Sequence, residues 1–287
     1  MSPCPPPILK SQKLSKEPIY PVPRVPIPAD FPLVHAHYDP TADVKASYYQ
    51  AAKRGGNMIA ARDFVKASID KRLIQKLREE FDQFNPIICP VSAIKEKGEV
   101  SNLIPQAFAS EVAVLTGWRI ELNILQINRT KHTGANVIDR LMRQPRFSGK
   151  VEPGANYFLV DDLMALGGTL ANLYGHIVSG GGNVCYISAL ALSCRDPSRK
   201  RSLQLQQSDT VRSGLLTVPA KASLSDFFES RFGFGLKCLT NVEAGVITTH
   251  ICKLPGDQKT KPIRDLTADE INLLYNKAIG SMVEKTN

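Results

Sequence analysis

The sequence predicts an α/β protein built around a parallel sheet. Short, nearly continuous apolar runs alternate along the chain with segments whose apolar residues recur at helical spacing. Strands that helices cover on both faces have this composition, because neither face meets water. Glycine also follows two of the predicted helices, at Gly117 and at residues 180–182, where helices commonly stop.

The predicted elements follow one another in strand, helix, strand order. The four predicted strands are residues 87–91 (IICPV), 121–127 (ELNILQI), 157–160 (YFLV) and 184–192 (VCYISALAL). A helix over residues 104–117 separates the first two strands, and a helix with Leu170, Leu173 and Ile177 on one face separates the last two. Upstream, residues 43–84 show helical spacing in two pieces, broken at Gly55 and Gly56.

Three parts of the chain differ in composition. Residues 1–40 hold 11 of the 20 prolines, and we expect an extended arm there because proline lacks a backbone N–H. Residues 41–209 are the predicted α/β domain, with a core at about 84–192. Residues 210–287 are predicted to form a C-terminal appendage that ends in a helix. Two Thr-x-x-Glu helix starts lie in it, Thr240 with Glu243 and Thr267 with Glu270.

Composition limits the class of protein. The chain is 43% apolar and 22% charged, as in ordinary globular proteins. No apolar run approaches the roughly 20 residues of a membrane span, and the N-terminus lacks a secretory pattern, so we expect a cytoplasmic protein without a membrane partner. Its six cysteines are widely spaced and are expected to be reduced thiols. The net charge of +9 suits a polyanionic ligand, a nucleic acid or an acidic protein surface.

The stretch FLVDDLMALGGTLANLYGHIVSGGG, residues 158–182, carries the strongest indication of a site. An apolar run ends on Asp161 and Asp162, and Gly167, Gly168 and Thr169 precede an amphipathic segment. We expect the strand to end at the two acids, since side chains of successive strand residues face opposite ways and a turn would bring them together. Carboxylates accept hydrogen bonds from a diol, while turn amides and a threonine hydroxyl suit a phosphate. A ribose phosphate has both groups.

Other interpretations of this stretch are open to test. The chain contains neither GxxxxGK[ST] nor GxGxxG, which argues against a P-loop and a dinucleotide fold. The plain structural alternative is a strand that ends on two solvated acids before an ordinary helix. Elsewhere the HAHYD sequence, with His35, His37 and Asp39, is the candidate for a metal site.

The stretch LVDDLMALGGTL resembles the phosphoribosyl pyrophosphate (PRPP) binding motif of type I phosphoribosyltransferases. It looks most like the adenine phosphoribosyltransferase version, which has alanine where Ala165 stands. Leu166 departs from the family, which usually has a hydroxyl residue there. Residues 84–192 are also similar in layout to competence-associated phosphoribosyltransferase-like proteins, with a pyrophosphate loop after the first strand and a mobile basic loop in residues 125–151.

The resemblance implies roles for particular residues. Asp161 and Asp162 would hold the ribose hydroxyls, directly or through water bound to Mg²⁺, the implied cofactor. The 5′-phosphate would lie in the loop formed by Ala165, Leu166, Gly167, Gly168 and Thr169. The pyrophosphate loop would include Ser92, Ala93, Ile94 and Lys95. Arg129 and Lys131, near Thr133 and Gly134, would close over the pyrophosphate, so that the implied catalytic residues are Lys95, Arg129 and Lys131.

Two functions follow from this resemblance and differ in class. The first is a Mg²⁺-dependent phosphoribosyltransferase that uses PRPP, releases pyrophosphate and modifies a small-molecule acceptor such as a nucleobase. The second is a non-catalytic PRPP-binding regulator with a nucleic-acid or protein partner, in which the basic cluster at residues 195–201 would take part. Ala165 and Leu166 favour the regulator, whereas the acid pair and the basic loops favour the enzyme. A homo-oligomer is expected in either case.

Overall fold

The central sheet of the computed structural model confirms the predicted α/β class. The model describes residues 22–38, 49, 52–53, 56–93, 102–128, 130, 136–193, 202–255 and 260–283. In spatial order the sheet strands are β2 (Ile87–Pro90), β5 (Asn156–Met164), β6 (Asn183–Leu192), β1 (Val34–Ala36) and β7 (Ser202–Leu203). The first four are parallel, and β7 is antiparallel to β1.

Helices cover both faces of this sheet. One face packs against α1 (Met58–Ser68), α2 (Lys71–Phe81) and α3 (Ile104–Thr116), and the other against α5 (Gly168–Ser179). Strand β5 contributes side chains to the cores on both faces of the sheet. Phe158 and Val160 lie in the core with α1 to α3, and Tyr157 and Leu159 lie in the core with α5. This alternation follows from the two-residue period of a strand.

A third apolar core is built mainly from the C-terminal part of the chain, together with residues 137–142. Its helices are α4 (Val137–Met142), α6 (Asp209–Leu216), α7 (Lys221–Phe232), α8 (Asn241–Thr249) and α9 (Ala268–Val283). Packed aromatic rings, including Phe228, Phe232 and Tyr275, fill this core. A hairpin of β8 (Ile251–Lys253) and β9 (Thr260–Pro262) joins α8 to α9. We call these elements the helical subdomain.

The predicted helix caps of this subdomain are confirmed. The Thr240 hydroxyl accepts the Glu243 amide at 3.1 Å, and the Glu243 carboxylate accepts the Thr240 amide at 2.9 Å. The pair of Thr267 and Glu270 makes the same exchange at 3.3 and 2.7 Å. Each helix start thereby satisfies two amides that a helix leaves unpaired. Of the helices in the described ranges, none combines the length and apolar composition that crossing a bilayer requires.

The predicted strand at residues 121–127 is wrong as a strand of the central sheet. Only β3 (Leu125–Gln126) is extended, and it pairs with β4 (Phe147–Ser148) in a separate two-stranded sheet. The segment touches the edge of the central sheet at two isolated bridges, Ile88 with Ile120 and Ala93 with Gln126. Between them the Glu121 carboxylate accepts the Asn123 amide at 2.6 Å, a local turn that competes with ladder pairing.

The helical region before the sheet also differs from the prediction. Residues after Gly56 form two helices, α1 and α2, where the spacing predicts a single one. The break occurs because the Asp70 side chain accepts the Arg72 and Leu73 amides and so starts a new helix. Most of the predicted piece before Gly55 lies outside the described residues.

The described part of the N-terminal arm is integrated into the fold. Residues 22–33 form no helix or strand, in keeping with their prolines, and Val34–Ala36 forms β1 between β6 and β7. The segment crosses α5 at Gly175, where an added Cβ would lie 1.9 Å from the Pro23 carbonyl oxygen. Only glycine permits so close an approach of backbone to helix. The end of the arm is therefore a strand of the α/β core.

Candidate functional site

Strand β5 continues through both acids of the motif. Asp161 pairs with Ala189, and further along Leu163 pairs with Ala191 and Met164 with Leu192. The expectation that the strand ends at Asp161 and Asp162 is therefore wrong. Pairing with β6 extends the strand, and the chain turns only at residues 165–167.

The two carboxylates lie close together. Behind burial, the charge of Asp162 and a side-chain hydrogen bond between the two acids raise the pKa of Asp161, and Lys53 lowers it. Both side chains are buried, each with 7% of the residue exposed. Their other hydrogen-bond partners differ.

The turn after β5 leads directly into α5. Gly167 precedes the helix with φ of +80°, in the left-handed region that glycine adopts without strain. An added Cβ at this position would also lie 2.6 Å from Leu205 Cδ1. Since Gly167 has no side chain to cap α5, the first-turn amides and the helix dipole face the space in front of the helix. We call residues 165–169 the helix-start loop.

A cavity of about 90 Å³ opens beside this loop. Its wall includes Asp161 and the predicted loop residues Ala165, Leu166, Gly167, Gly168 and Thr169. Among the other lining residues are three polar side chains that the sequence interpretation missed: Arg140, Gln144 and Glu243. Arg140 and Gln144 come from the segment read as a basic loop, and Glu243 from the predicted appendage. No local pattern marked them as neighbours of the loop.

Burial governs the charge of Asp161. Its Oδ1 accepts the backbone amide of Asp162 at 2.8 Å. Burial, together with the nearby carboxylate of Asp162, raises the pKa of Asp161 well above its usual range. Burial therefore disfavours the ionised form of Asp161.

Asp162 is held by three further polar side chains. Its Oδ2 accepts hydrogen bonds from Lys53 Nζ at 2.9 Å, Asn102 Nδ2 at 3.0 Å and Tyr49 Oη at 3.4 Å. Burial opposes the charge of Lys53, but Asp162 and Tyr49 outweigh it and raise the pKa of the lysine. Lys53 Nζ also donates to Tyr49 Oη at 2.5 Å. Asp162 is thus the anion of a partly buried ion pair.

Ser92 and Ala93 follow β2, the strand beside β5. Pro90 pairs with Val160, so that Ser92 lies two residues beyond this pair, level with Asp162. The Ser92 side chain is fully buried, and its Oγ has no hydrogen-bond partner among the described residues. Its carbonyl accepts the Gln126 amide at 2.7 Å. The Ser92 hydroxyl therefore lies at the same sheet edge as the acid pair.

The remaining predicted loop residues cannot be placed beside these. Lys95 and Ile94 of the expected pyrophosphate loop lie outside the described residues, as do Arg129 and Lys131 of the expected basic loop. Thr133, Gly134 and the basic cluster at 195–201 also lie outside them.

The histidines of the HAHYD sequence are engaged by protein groups. The Asp70 amide donates to His37 Nδ1 at 3.1 Å, so Nε2 carries the proton of the neutral ring and donates to Ser188 Oγ at 3.0 Å. Burial lowers the pKa of His37 to about 4. His35 Nδ1 lies 2.6 Å from Tyr186 Oη. Asp39 lies outside the described residues, and within them no group of three metal-binding side chains is found.

Comparisons with known proteins find sequence relatives that are not named as phosphoribosyltransferases and structural neighbours that are. No protein-family model matches the sequence. Protein TraN of Escherichia coli is 31% identical over 257 residues, which are 90% of this chain and 54% of TraN. An uncharacterized protein of Haemophilus influenzae is 31% identical over 130 residues, 45% of this chain and 28% of that protein. The chain thus spans about half the length of TraN and less of the second relative.

The structural neighbours are phosphoribosyltransferases at low similarity. A purine phosphoribosyltransferase from Pyrococcus horikoshii matches 42% of this chain and 70% of its own, with 18% identity and a TM-score of 0.26. A hypoxanthine phosphoribosyl transferase of Trypanosoma cruzi matches 47% of this chain and 64% of its own, with 12% identity and a TM-score of 0.29. At these scores the assignment of a function rests on the site itself.

Proposed function

We propose that the chain binds PRPP at the helix-start loop and transfers its phosphoribosyl group to a small acceptor, releasing pyrophosphate. The observation that carries this proposal is the placement of Asp161 on the wall of the cavity that the start of α5 faces. A group that accepts hydrogen bonds and a group that attracts anions therefore share one cavity. The LVDDLMALGGTL motif supports the same ligand.

The 5′-phosphate is the part of PRPP that suits the helix-start loop. Free amides at a helix N-terminus donate to phosphate oxygens, and the dipole favours negative charge there. Thr169 adds a hydroxyl donor, whereas Ala165 and Leu166 contribute backbone groups only. The absence of a side-chain hydroxyl at Leu166 leaves phosphate recognition to the main chain.

The ribose hydroxyls would be bound by Asp161, which faces the cavity. Asp162 lies at the same strand end but is held by Lys53, Asn102 and Tyr49. For Asp162 to accept a ribose hydroxyl, the lysine contact would have to loosen. We therefore assign the main contact to Asp161 and a secondary one to Asp162, beside Ser92 and Ala93.

Mg²⁺ fits this donor set as an ion that arrives with PRPP. Mg²⁺ is commonly held by one or two carboxylates together with substrate phosphates and water. Asp161 offers one such carboxylate at the cavity, and Asp162 is already paired with a cation. When bound, the ion would neutralise part of the pyrophosphate charge.

The chemistry assigned to the protein is electrostatic. The bond between the anomeric carbon and the pyrophosphate oxygen breaks, the oxygen keeps the electron pair, and a nitrogen of the acceptor forms the new bond and loses its proton to solvent. Positioned donors stabilise the charge that develops on the leaving group. We propose this role for Ser92 and Ala93 with Lys95, and for Arg129 and Lys131.

A second candidate is a PRPP-binding regulator without turnover. Ala165 lies in the cavity wall and supplies no acid or base for an acceptor. A protein with a net charge of +9 could instead present a PRPP-dependent surface to a nucleic acid or a protein.

Two measurements test and separate these candidates. PRPP with Mg²⁺ should raise the melting temperature of the native protein, and Asp161→Asn should abolish the shift. Asp209→Asn is the control, because the Asp209 side chain is 89% exposed on α6. Absence of a shift in the native protein contradicts both candidates. Release of pyrophosphate with any nucleobase favours the transferase, and binding of a nucleic acid or protein without turnover favours the regulator.

A further inference from the structure

A buried ion pair joins the N-terminal segment to the helical subdomain beside the helix-start loop. Arg24 Nη1 lies 2.7 Å from Glu243 Oε2, and Arg24 Nη2 lies 3.2 Å from Glu243 Oε1. Their side chains are 0% and 2% exposed. The partners are 219 residues apart in the sequence.

This pair contacts the helix-start loop directly. Arg24 Nη2 donates to the Gly168 carbonyl at 2.8 Å. An added Cβ on Gly168 would lie 2.3 Å from Glu243 Oε1, so the carboxylate packs against the backbone at the start of α5. One turn earlier, the Thr240 hydroxyl donates to the Leu166 carbonyl at 2.5 Å. Two carbonyls of the loop are thus fixed by residues outside the motif.

The same arginine is also connected to other residues that line the cavity. Arg24 Nε donates to Asn172 Oδ1 at 2.6 Å. Asn172 Nδ2 in turn donates to Gln144 Oε1 at 2.9 Å and to the Pro145 carbonyl at 2.8 Å. Gln144 and Pro145 line the cavity. Arg24 therefore connects the helix-start loop to these two residues through a chain of hydrogen bonds.

The charge of Glu243 bears on any anion in this cavity. Glu243 lines the cavity beside the helix start, where an unpaired buried carboxylate would repel a phosphate. At a separation of about 5 Å and an effective dielectric constant near 20, such a repulsion corresponds to a loss of affinity on the order of a hundredfold. Arg24 neutralises this charge, and its Nη2 also donates to the Gly168 carbonyl of the loop.

We infer that Arg24 is a positioning residue for the anion site: it holds the helix-start loop in place and neutralises the Glu243 carboxylate that faces the cavity. This inference rests on the proposed function for the identity of the anion. Its structural half, the fixing of the loop, does not depend on any ligand.

Variants that remove the charge on one side of the ion pair separate a positioning role of Arg24 from a merely structural one. Arg24→Gln leaves the Glu243 carboxylate unpaired and should weaken binding of PRPP with Mg²⁺ at least about tenfold. Glu243→Gln leaves a cation at the same place and should not weaken it, although both changes destabilise the fold. The double variant Arg24→Gln/Glu243→Gln removes both charges and should bind at least about threefold more tightly than Arg24→Gln alone. Equal weakening by both single changes, in proportion to their loss of stability, would overturn the inference.

Hydrogen exchange without ligand tests the positioning independently. Amides of residues 166–169 should exchange at least about tenfold faster in Arg24→Gln than in Phe227→Leu, a change in a core ring whose ring contacts are Phe228, Phe232 and Tyr275. Unchanged exchange contradicts the inference even if PRPP binds. If the native protein fails to bind PRPP but exchange accelerates, the proposed function fails and the positioning role stands.

Discussion

Asp161 and Asp162 are neighbours in β5, and Asp161 Oδ1 accepts the backbone amide of Asp162 at 2.8 Å. Asp161 adjoins the cavity in front of α5, and Asp162 is paired with Lys53 at 2.9 Å. The two acids of the motif therefore differ in their side-chain partners and in the effect expected when each is replaced.

Replacing Asp161 should separate stability from binding. Burial and the neighbouring Asp162 raise the pKa of Asp161, so its ionised form costs folding free energy as the pH rises above the ordinary value of an aspartate. Asp161→Asn removes this cost, and we expect equal or greater stability at pH 7 together with loss of the PRPP-induced shift. Urea unfolding and thermal shift measure the two effects. A variant that is less stable at pH 7 but still binds would contradict the assignment.

Replacing Asp162 should act mainly through Lys53. Asp162→Asn or Lys53→Met alone leaves a charge without its partner in a partly buried place, and each should lower the free energy of unfolding by about 1–3 kcal/mol. The double variant should lose less than the sum of the two. A double-mutant cycle in urea measures this coupling, and additive losses would show that the pair contributes nothing.

Replacing Gly167 with alanine should lower the free energy of unfolding more than the same change at Gly154, a glycine of similar backbone conformation. Gly154 has φ of +75° and open space at its Cβ position, whereas Gly167 has φ of +80° and Leu205 within 2.6 Å. Alanine in the left-handed region costs about 1–2 kcal/mol, and the contact with Leu205 adds roughly 1–3 kcal/mol at Gly167 only. Gly154→Ala is the matched control in urea unfolding. Equal losses would show that Leu205 yields freely.

The buried His37 should make stability depend on pH. Its pKa falls from 6.5 to about 4 on folding, mainly through burial, with Asp70 opposing and His35 adding to the shift. Because the unfolded chain binds the proton more readily, stability is fully present above pH 6.5 and is lost as the pH falls towards 4, by about 3 kcal/mol at most. His37→Gln should flatten this part of the profile relative to the native protein. Parallel profiles of the two proteins would contradict the prediction.

The parts of the fold that depend on local pattern were predictable from the sequence. The runs that became β2, β5 and β6 are buried on both faces, and α3 and α5 are followed by glycines that end them. The loop before α5 was also recognisable, because its residues are contiguous. The turn at Glu121 is not predictable from the apolar pattern, because a single side-chain hydrogen bond decides whether this segment forms a strand or a bend.

The rest of the site depends on contacts between distant residues. Arg24 and Glu243 are separated by 219 positions, and Lys53 and Asp162 by 109. No period or motif relates such pairs, and only the packing of the helical subdomain against α5 brings Glu243 to the loop. The extension of β5 past the acids likewise follows from its pairing with β6, which the strand's own sequence does not reveal.

The contact between Arg24 and Glu243 also sets the time at which the cavity can exist during synthesis. A ribosome makes the sheet strands and α5 well before it reaches α8, and nascent domains generally fold as their segments emerge. Arg24 must therefore wait for residues 240–243, and the helix-start loop acquires its final hydrogen bonds only after most of the chain has left the ribosome. The helix-start loop of a nascent chain therefore lacks these hydrogen bonds until residue 243 has been made.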